Sequence, residues 1–457
     1  MARGKKKEAA LSPEERLQAA LVPENEQPYK VPGNWCWTRM KNIAQWGSGG
    51  TPSRKISEYY NGNIPWVKTG ELNNDYVFET EEHITQNAIL HSSAKLFPVN
   101  TVVIAMYGAT IGKVGILGVE ATTNQACACG VSNLLANYKY LFYYAISQKD
   151  NFINKGKGGA QPNISQEIIK SHEFPLPPLP EQQRIVDRIE SLFAKLDEAK
   201  QKAQDALDSF ETRKAAILHK AFTGELTAQW RKEHSVGMES WKNSTVGRVC
   251  HDVKVGIVIK PSQYYTDKEK GIPAFRSANV RENHIDDFDW VYLNHDGMEN
   301  NSRSIVHTGD VLVVRSGNPG TACVVSEKFD GYNAIDILIA VPNHSQISSE
   351  FLCAYTNSPF GKKLVFENKR GMALAHFNVK GYSELPIRVP QLSEQTQIIR
   401  ILDDLLAKEQ QAKEAAEKVL EQIELTKKAI LARAFRGELG TNDPGEESAV
   451  EMLKAIL

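Results

Sequence analysis

Apolar residues recur at alternating steps of three and four along two separate stretches of the chain. In the first they fall at Ile185, Ile189, Leu192 and Leu196 and return in phase at Phe210. In the second they fall at Ile398, Leu402, Leu405, Val419 and Ile423, with Glu409 interrupting. A narrow seam of this kind is what one helix presents to another. Both stretches open after a Pro- or Ser-containing segment, "PLPPLPEQ" and "VPQLSEQ", and both run to a glycine, Gly224 and Gly437, as helices commonly do. Each is predicted to be a helix of about 42 residues, roughly 60 Å long at the usual rise per residue.

The two stretches are copies. Shifted by 213, residues 181–226 lie over 394–439 without a gap and match at 20 of 46 positions, ending in "KAAILHKAFTGEL" and "KKAILARAFRGEL". A second copy of the helix in the same chain supplies a matching apolar stripe, so the simplest expectation is a two-helix coiled coil in which each helix partners the other. Antiparallel pairing places whatever precedes each helix at opposite ends of a rod.

Upstream of each helix lies a strand-rich segment. "NTVVIAMYG" and "GDVLVVRSG" are short β-branched runs that end in glycine turns, and "YKYLFYYAISQ" and "SEFLCAYTNSP" read as short helices. The segments echo each other: "GNIPWVKTGELNN" resembles "KGIPAFRSANVREN", and "VVIAMYGATIGKVGIL" resembles "VLVVRSGNPGTACVVS". The expected fold class is α+β, with two globular α/β domains in a pseudo-twofold arrangement joined by two long antiparallel coiled-coil helices. The expected layout is a tail and short helix over 1–27, a first domain over 28–180 and a helix with linker over 181–238. A second domain over 239–392, a second helix over 393–440 and a tail over 441–457 complete it. "SPEE" at Ser12–Glu15 predicts an N-cap, a proline in the first turn and a short helix after it. The basic residues Arg3, Lys5, Lys6 and Lys7 ahead of it read as a disordered tail, with contact to nucleic acid the alternative.

Composition narrows the function. The chain has 457 residues, 41% hydrophobic and 24% charged, with a formal net charge of −1, so any basic surface must come from arrangement. No apolar run approaches the 18 or so residues of a membrane span, and the expected location is the cytoplasm. The six cysteines are scattered, which predicts reduced buried thiols and no metal site.

Catalytic motifs are missing. "GATIGKV" at Gly108–Val114 has one residue too few between its glycines for a phosphate loop and a valine where a magnesium-binding hydroxyl belongs, so it reads as a tight β-turn. There is no Asn/Asp-Pro-Pro-aromatic loop of an amino-methyltransferase and no Gly-x-Ser-x-Gly elbow. No catalytic residue is expected, which favours a binding protein.

At this point the chain resembles the DNA-specificity subunit of type I restriction-modification systems. The resemblance is carried in order by "VPGNWCWTRMKNIA", "GSGGTPSR", "YYNGNIPWVKTGEL", "YGATIGKVGI", "PLPPLPEQQRIVDRI" and "AILHKAFTGEL", then by the second round, and covers the chain beyond about residue 28. It implies two target-recognition domains, each reading one half of a bipartite double-stranded DNA sequence. It further implies spacer helices that fix the gap and dock two methyltransferase subunits. No cofactor is implied for this chain; S-adenosylmethionine, ATP and magnesium belong to the modification and restriction/translocase subunits. The second helix departs from the pattern by opening with "LSEQTQ" and by carrying Glu409, Gln410 and Gln411, which puts equivalent docking of the second methyltransferase in doubt. The competing readings are a self-sufficient DNA-modifying enzyme and a protein-binding scaffold.

Polar and cationic residues at strand ends are the candidates for touching DNA, lysines and arginines on phosphates, and Arg, Gln and Asn on base edges. In the first domain these are Thr51, Ser53, Arg54, Lys55, Lys68, Tyr107, Thr110, Lys113, Gln161 and Asn163. In the second they are Lys260, Arg276, Arg281, Arg315, Ser316, Asn318, Lys369, Arg370, His376 and Asn378. Arg315, which follows a strand and opens the loop aligned with Tyr107, is the foremost candidate for base reading; an ion pair with Asp310 or Asp336 is its alternative.

Overall fold

The computed structural model describes residues 12–156, 163–367 and 378–457. The chain divides into two compact units, Met1–Lys202 with Val419–Leu457, and Ala203–Lys418. The division runs through both long helices, so each unit combines one strand-rich segment with a portion of each helix.

In the first unit a five-stranded sheet runs in the order Ala44–Ser48, Cys127–Ser132, Val102–Ala105, Val114–Leu117, Tyr76–Val77. Its pairs are antiparallel except the last, which is parallel. The strands Val102–Ala105 and Val114–Leu117 are buried on both faces, which is why they read as unbroken apolar runs. A four-stranded sheet, His83–Ile84, Tyr60–Val67, Ala121–Thr123, Leu96–Phe97, adjoins it in sequence. The helix Tyr138–Ser147 buries Tyr140 and Tyr144 against Phe174 and Phe435, with edge-on ring centroids 5.0–5.6 Å apart. Such aromatic pairs add to the apolar burial itself. The short helix Pro13–Ala20 has the expected capping box, with Ser12 accepting from the Glu15 amide, and its Leu17 and Ala20 join the same core as Ala449 and Leu453 of the last helix.

The second unit repeats the plan. Its first sheet runs Cys250–Val255, Ile337–Pro342, Val311–Val314, Ala322–Val324, the order of the first four strands above, and all its pairs are antiparallel. The helix Ser349–Asn357 buries Phe351 and Tyr355 against Phe222, with centroids 5.4 and 5.2 Å apart. Phe222 and Phe435 are the phenylalanines of "AFTGEL" and "AFRGEL"; each repeat uses its tail to plug an aromatic cage. Gly224 and Gly437 end those tails at φ +86° and +73°, the left-handed region where glycine carries no side-chain penalty.

Within each unit the two long helices pack antiparallel. In the first, Lys427 pairs with Asp197 at 2.5 Å and Lys200 with Glu424 at 3.3 Å, so three residues forward on one helix match three back on the other. In the second, Arg213 pairs with Glu409 at 2.8 Å and the Lys413 ammonium lies 5.0 Å from the Phe210 ring centre. Glu409 therefore does not merely interrupt the seam, because it meets a cation across it. Ile185, Ile189 and Ile398, Leu402 are fully or almost fully buried, Phe210 and Ile423 are buried, and Leu192, Leu196 and Leu405 are half-buried.

Two expectations are corrected. Val419 is 42% exposed, and half-buried Leu420 takes the seam position between Ala416 and Ile423. Steps of 3 then 4 and of 4 then 3 both fit a heptad, and the packed register selects the second. The first long helix is also not continuous: it runs Leu179–Asp208 and then Phe210–Thr223. At the break the Ser209 hydroxyl donates back to the Asp205 carbonyl at 2.8 Å and the Ala206 carbonyl at 3.2 Å, a back-bonding pattern that bends helices. The second runs unbroken over Leu392–Ala434.

Candidate nucleic-acid interface

Each strand-rich segment is clamped to its helix by the same two side chains. Glu181, Gln182, Glu394 and Gln395 are all completely buried, unusual for such residues unless they are hydrogen-bonded, and each is, with Glu394 bonded through one carboxylate oxygen and its Oε2 left without a partner. The Gln182 amide donates to the Leu135 carbonyl at 2.8 Å and the Pro177 carbonyl at 3.1 Å, and its oxygen accepts from the Asn137 amide at 2.8 Å. Gln395 does the same with the carbonyls of Gln346 and Pro390 and the amide of Ser348, each at 2.8 Å. Asn137 and Ser348 are the N-caps of the aromatic-bearing helices. The glutamates differ: Glu181 accepts from the Trp35 indole at 2.7 Å, whereas Glu394 accepts from Arg231 and Thr227, both at 2.6 Å. Arg231 also donates to the Gly224 carbonyl at 2.6 Å, tying the helix end into the clamp.

At one end of the first unit's main sheet, three loops and Asn163 converge. The strand Ala44–Ser48 runs into Gly49–Lys55, where the Gly50 amide donates to the Thr123 carbonyl at 2.9 Å. A Cβ on Gly49 would sit 2.1 Å from that oxygen, so this approach requires glycine. Thr51 hydrogen bonds Gln125. The Tyr107 turn, built on Gly108 at φ +64° and Gly112 at +73°, is stitched to the neighbouring loops by the Met106–Ala126 bond at 2.9 Å and a bridge from Tyr107 to Asn163. The tight turn expected at Gly108–Val114 is present.

The second unit has the matching cluster with different chemistry. Gly256–Lys260 leaves the strand Cys250–Val255 and is pinned by the Ile257 amide on the Ala334 carbonyl at 2.8 Å and the Asp336 amide on the Ile257 carbonyl at 3.0 Å. Arg315 and Ser316, in a turn with Gly317 and Gly320 both at φ +85°, bond the Asp336 carboxylate, the serine at 3.2 Å. Asp336 itself adopts φ +52°, uncommon for a residue with a Cβ, and sits where the three loops meet.

The sequence-predicted residues are thus distributed unevenly. Thr51, Tyr107, Thr110 and Asn163 fall in or on the first cluster, with Thr110 donating to the Tyr107 carbonyl at 2.9 Å. Ser53 and Lys55 are exposed and Lys113 is half-buried in the same loops. Arg54 and Lys68 belong instead to an ion-pair network on the smaller sheet: Arg54 grips Glu82 at 2.5 and 3.0 Å and lies 4.5 Å over Tyr60, while Lys68 reaches Glu81 at 2.8 Å and Glu82 at 3.2 Å. The Arg54 hydrogen bonds hold the Glu82 carboxyl below its ordinary value. In the second unit Lys260 and Asn318 are exposed on the cluster, Arg276 pairs with Asp289 and Arg281 with Asp286, both at 2.8 Å, and Asn378 caps the helix Val379–Ser383. The Arg315 side chain is only 12% exposed beside Asp336. Gln161, Lys369, Arg370, His376 and the basic residues Arg3, Lys5, Lys6 and Lys7 lie outside the described residues.

Gln125, which organises the first cluster, carries no signal in the sequence, whereas Asp336 is one of the two carboxylates expected as an ion-pair partner of Arg315 and is the one it meets. Gln125 follows no motif, and only the pairing of distant strands brings it to the loops. All six cysteines are free and buried, and burial pushes the Cys36 and Cys323 thiols up to about 12. Among the described residues no group of three or more His, Cys, Asp or Glu could hold a metal ion, and no helix is long and apolar enough to cross a membrane.

Comparison with known proteins places this architecture. The type I restriction modification DNA specificity domain matches twice, over residues 32–207 and 238–422. The EcoR124I/EcoR124II specificity subunit of Escherichia coli is 33% identical over 33% of this chain and 39% of its own length, and the MjaIX specificity subunit of Methanocaldococcus jannaschii 31% identical over 39% and 42%. These matches span about two fifths of each relative. The EcoKI specificity subunit of E. coli K12 is 23% identical over 93% of this chain and 96% of its own. The crystal structure of an HsdS subunit from Thermoanaerobacter tengcongensis shares the fold, with a TM-score of 0.64 at 20% identity over 91% of this chain and 100% of that one. With the domain matched in both repeats and over most of its length, the chain belongs to the type I restriction-modification DNA specificity family.

Proposed function

We propose that this chain is the DNA-recognition subunit of a type I restriction-modification complex, in which each strand-rich domain reads one half of a bipartite double-stranded target. One observation carries the reading: two near-identical Gln clamps carry two loop clusters whose exposed chemistry has diverged. Exposed Gln125, Thr51 and Tyr107 on one side and exposed Lys260 and Asn318 on the other, beside the half-buried Arg315, offer different donors and acceptors, as reading two different sequences requires. The antiparallel helix pair sets the gap between half-sites and docks two methyltransferase subunits. Catalysis, with S-adenosylmethionine, ATP and magnesium, belongs to the partner subunits, and the complex acts in the cytoplasm. Half-sites about one turn of B-DNA, roughly 34 Å, apart suit two domains on one face of the duplex.

The test is a map of methylated adenines in DNA from cells expressing this chain with its methyltransferase. Two short sequence clusters at a fixed gap are expected. A single continuous motif, or robust methylation or cleavage by the purified chain alone, overturns the reading.

A further inference from the structure

The loop Gly256–Lys260 ends in an apolar tip. Val258 is 49% and Ile259 79% exposed, side by side, and exposed Lys260 follows at φ +46°. The base of the loop is rigid: Ile257 is buried, the Ile257 amide is held by the Ala334 carbonyl at 2.8 Å, and a Cβ on Gly256 would lie 2.2 Å from that same oxygen. A single exposed aliphatic side chain means little, but two adjacent ones on a pinned loop with a cation beside them form a small contact surface. The same loop in the first unit offers polar Thr51 and Ser53 with Pro52 buried between them. The tip also stands at the cluster built around Asp336, beside the Arg315 turn.

We propose that Ile259, supported by Val258, reads a thymine in one half-site by covering its 5-methyl group in the major groove. This rests on the DNA-recognition reading above. Thymine is the base whose major-groove edge carries an apolar group, and aliphatic contact with that methyl discriminates it from cytosine. Lys260, next in the chain, holds the neighbouring phosphate and sets the depth at which the tip enters. The first unit's polar loop makes no such contact, so the requirement belongs to one half-site.

The test uses the full chain assembled with its methyltransferase and a duplex carrying the target found by the methylation map. Each thymine of both half-sites is replaced in turn by deoxyuridine, which removes only the methyl. One thymine in one half-site is expected to show about fourfold weaker binding when demethylated, the worth of one buried methyl group. In Ile259→Ala that position loses its sensitivity to deoxyuridine, and Ile259→Leu restores part of it. The highly exposed position leaves the fold intact, checked by an unchanged Tm. Binding indifferent to deoxyuridine everywhere, sensitivity that persists in Ile259→Ala, or loss of methyltransferase association with target discrimination unchanged overturns the proposal. Absence of any bipartite target instead overturns the recognition reading on which it rests.

Discussion

Replacing Gln182 by leucine keeps the side-chain volume roughly constant while removing three hydrogen bonds. It strands the Asn137 amide and the Leu135 and Pro177 carbonyls in a site with no exposure. An unpaired buried polar group costs about 1–3 kcal/mol, and neighbouring losses are not fully additive, so the expected destabilisation is about 3–5 kcal/mol. That is a large fraction of a typical domain's stability. Gln395→Leu strands the corresponding groups of Ser348, Gln346 and Pro390 and should cost the same within about 1 kcal/mol, because the geometry is duplicated. Gln183→Leu, at an exposed neighbouring position, should cost no more than about 1 kcal/mol. Urea titration of the three full-length variants, followed by circular dichroism, measures the shifts in midpoint. Losses at Gln182 and Gln395 below about 1 kcal/mol, or no larger than at Gln183, would refute the argument that these amides clamp each domain to its helix.

Other outcomes follow from named contacts. Arg231→Met leaves the fully buried Glu394 with a lost cation partner and should destabilise by about 3–5 kcal/mol in the same titration. Leu420→Ser should cost more than Val419→Ser, which is expected to fall within about 0.5 kcal/mol of the parent; equal effects would restore the register read from sequence. His172, 3% exposed, has its pKa pushed down from 6.5 to about 4, chiefly by burial and then by the Lys155 charge. The folded state therefore resists protonation, so stability is full above about pH 6.5 and falls toward pH 4, by up to about 3 kcal/mol; His172→Gln should flatten that part of the curve. Arg315→Ala should relax one base position of one half-site by about 1–3 kcal/mol. If Arg315 serves only to hold Asp336, binding weakens equally on every sequence.

What was legible in the sequence was local or repeated. The capping box at Ser12–Glu15, the glycine stops at Gly224 and Gly437 and the helical patches around Tyr140 and Phe351 are decided by residues within a few positions of one another. The duplication exposed the helix pairing because the same seam occurs twice. Much of what was hidden depends on contacts between residues far apart in the chain. Nothing local in the Glu-Gln pair at each helix start signals its role, because Gln182 works through carbonyls 5 and 47 residues away. The break at Ser209 depends on one hydroxyl turning back on its own helix. Arg54, Arg276, Arg281 and Arg315 read as cations at strand ends, yet each is paired with a carboxylate of the protein itself. Site prediction was weakest where charge alone was the signal, since a loop's charges can be spent on the protein itself.

The claim that the helix pair sets the distance between two independent reading heads has one direct measurement. Four residues are inserted after Lys202 and four after Lys418, keeping the antiparallel register, and methylated adenines are mapped with the same methyltransferase. Four helical residues add about 6 Å, so the gap should lengthen by about two base pairs while both half-sites keep their sequences. An unchanged gap, or an altered half-site, would contradict the account.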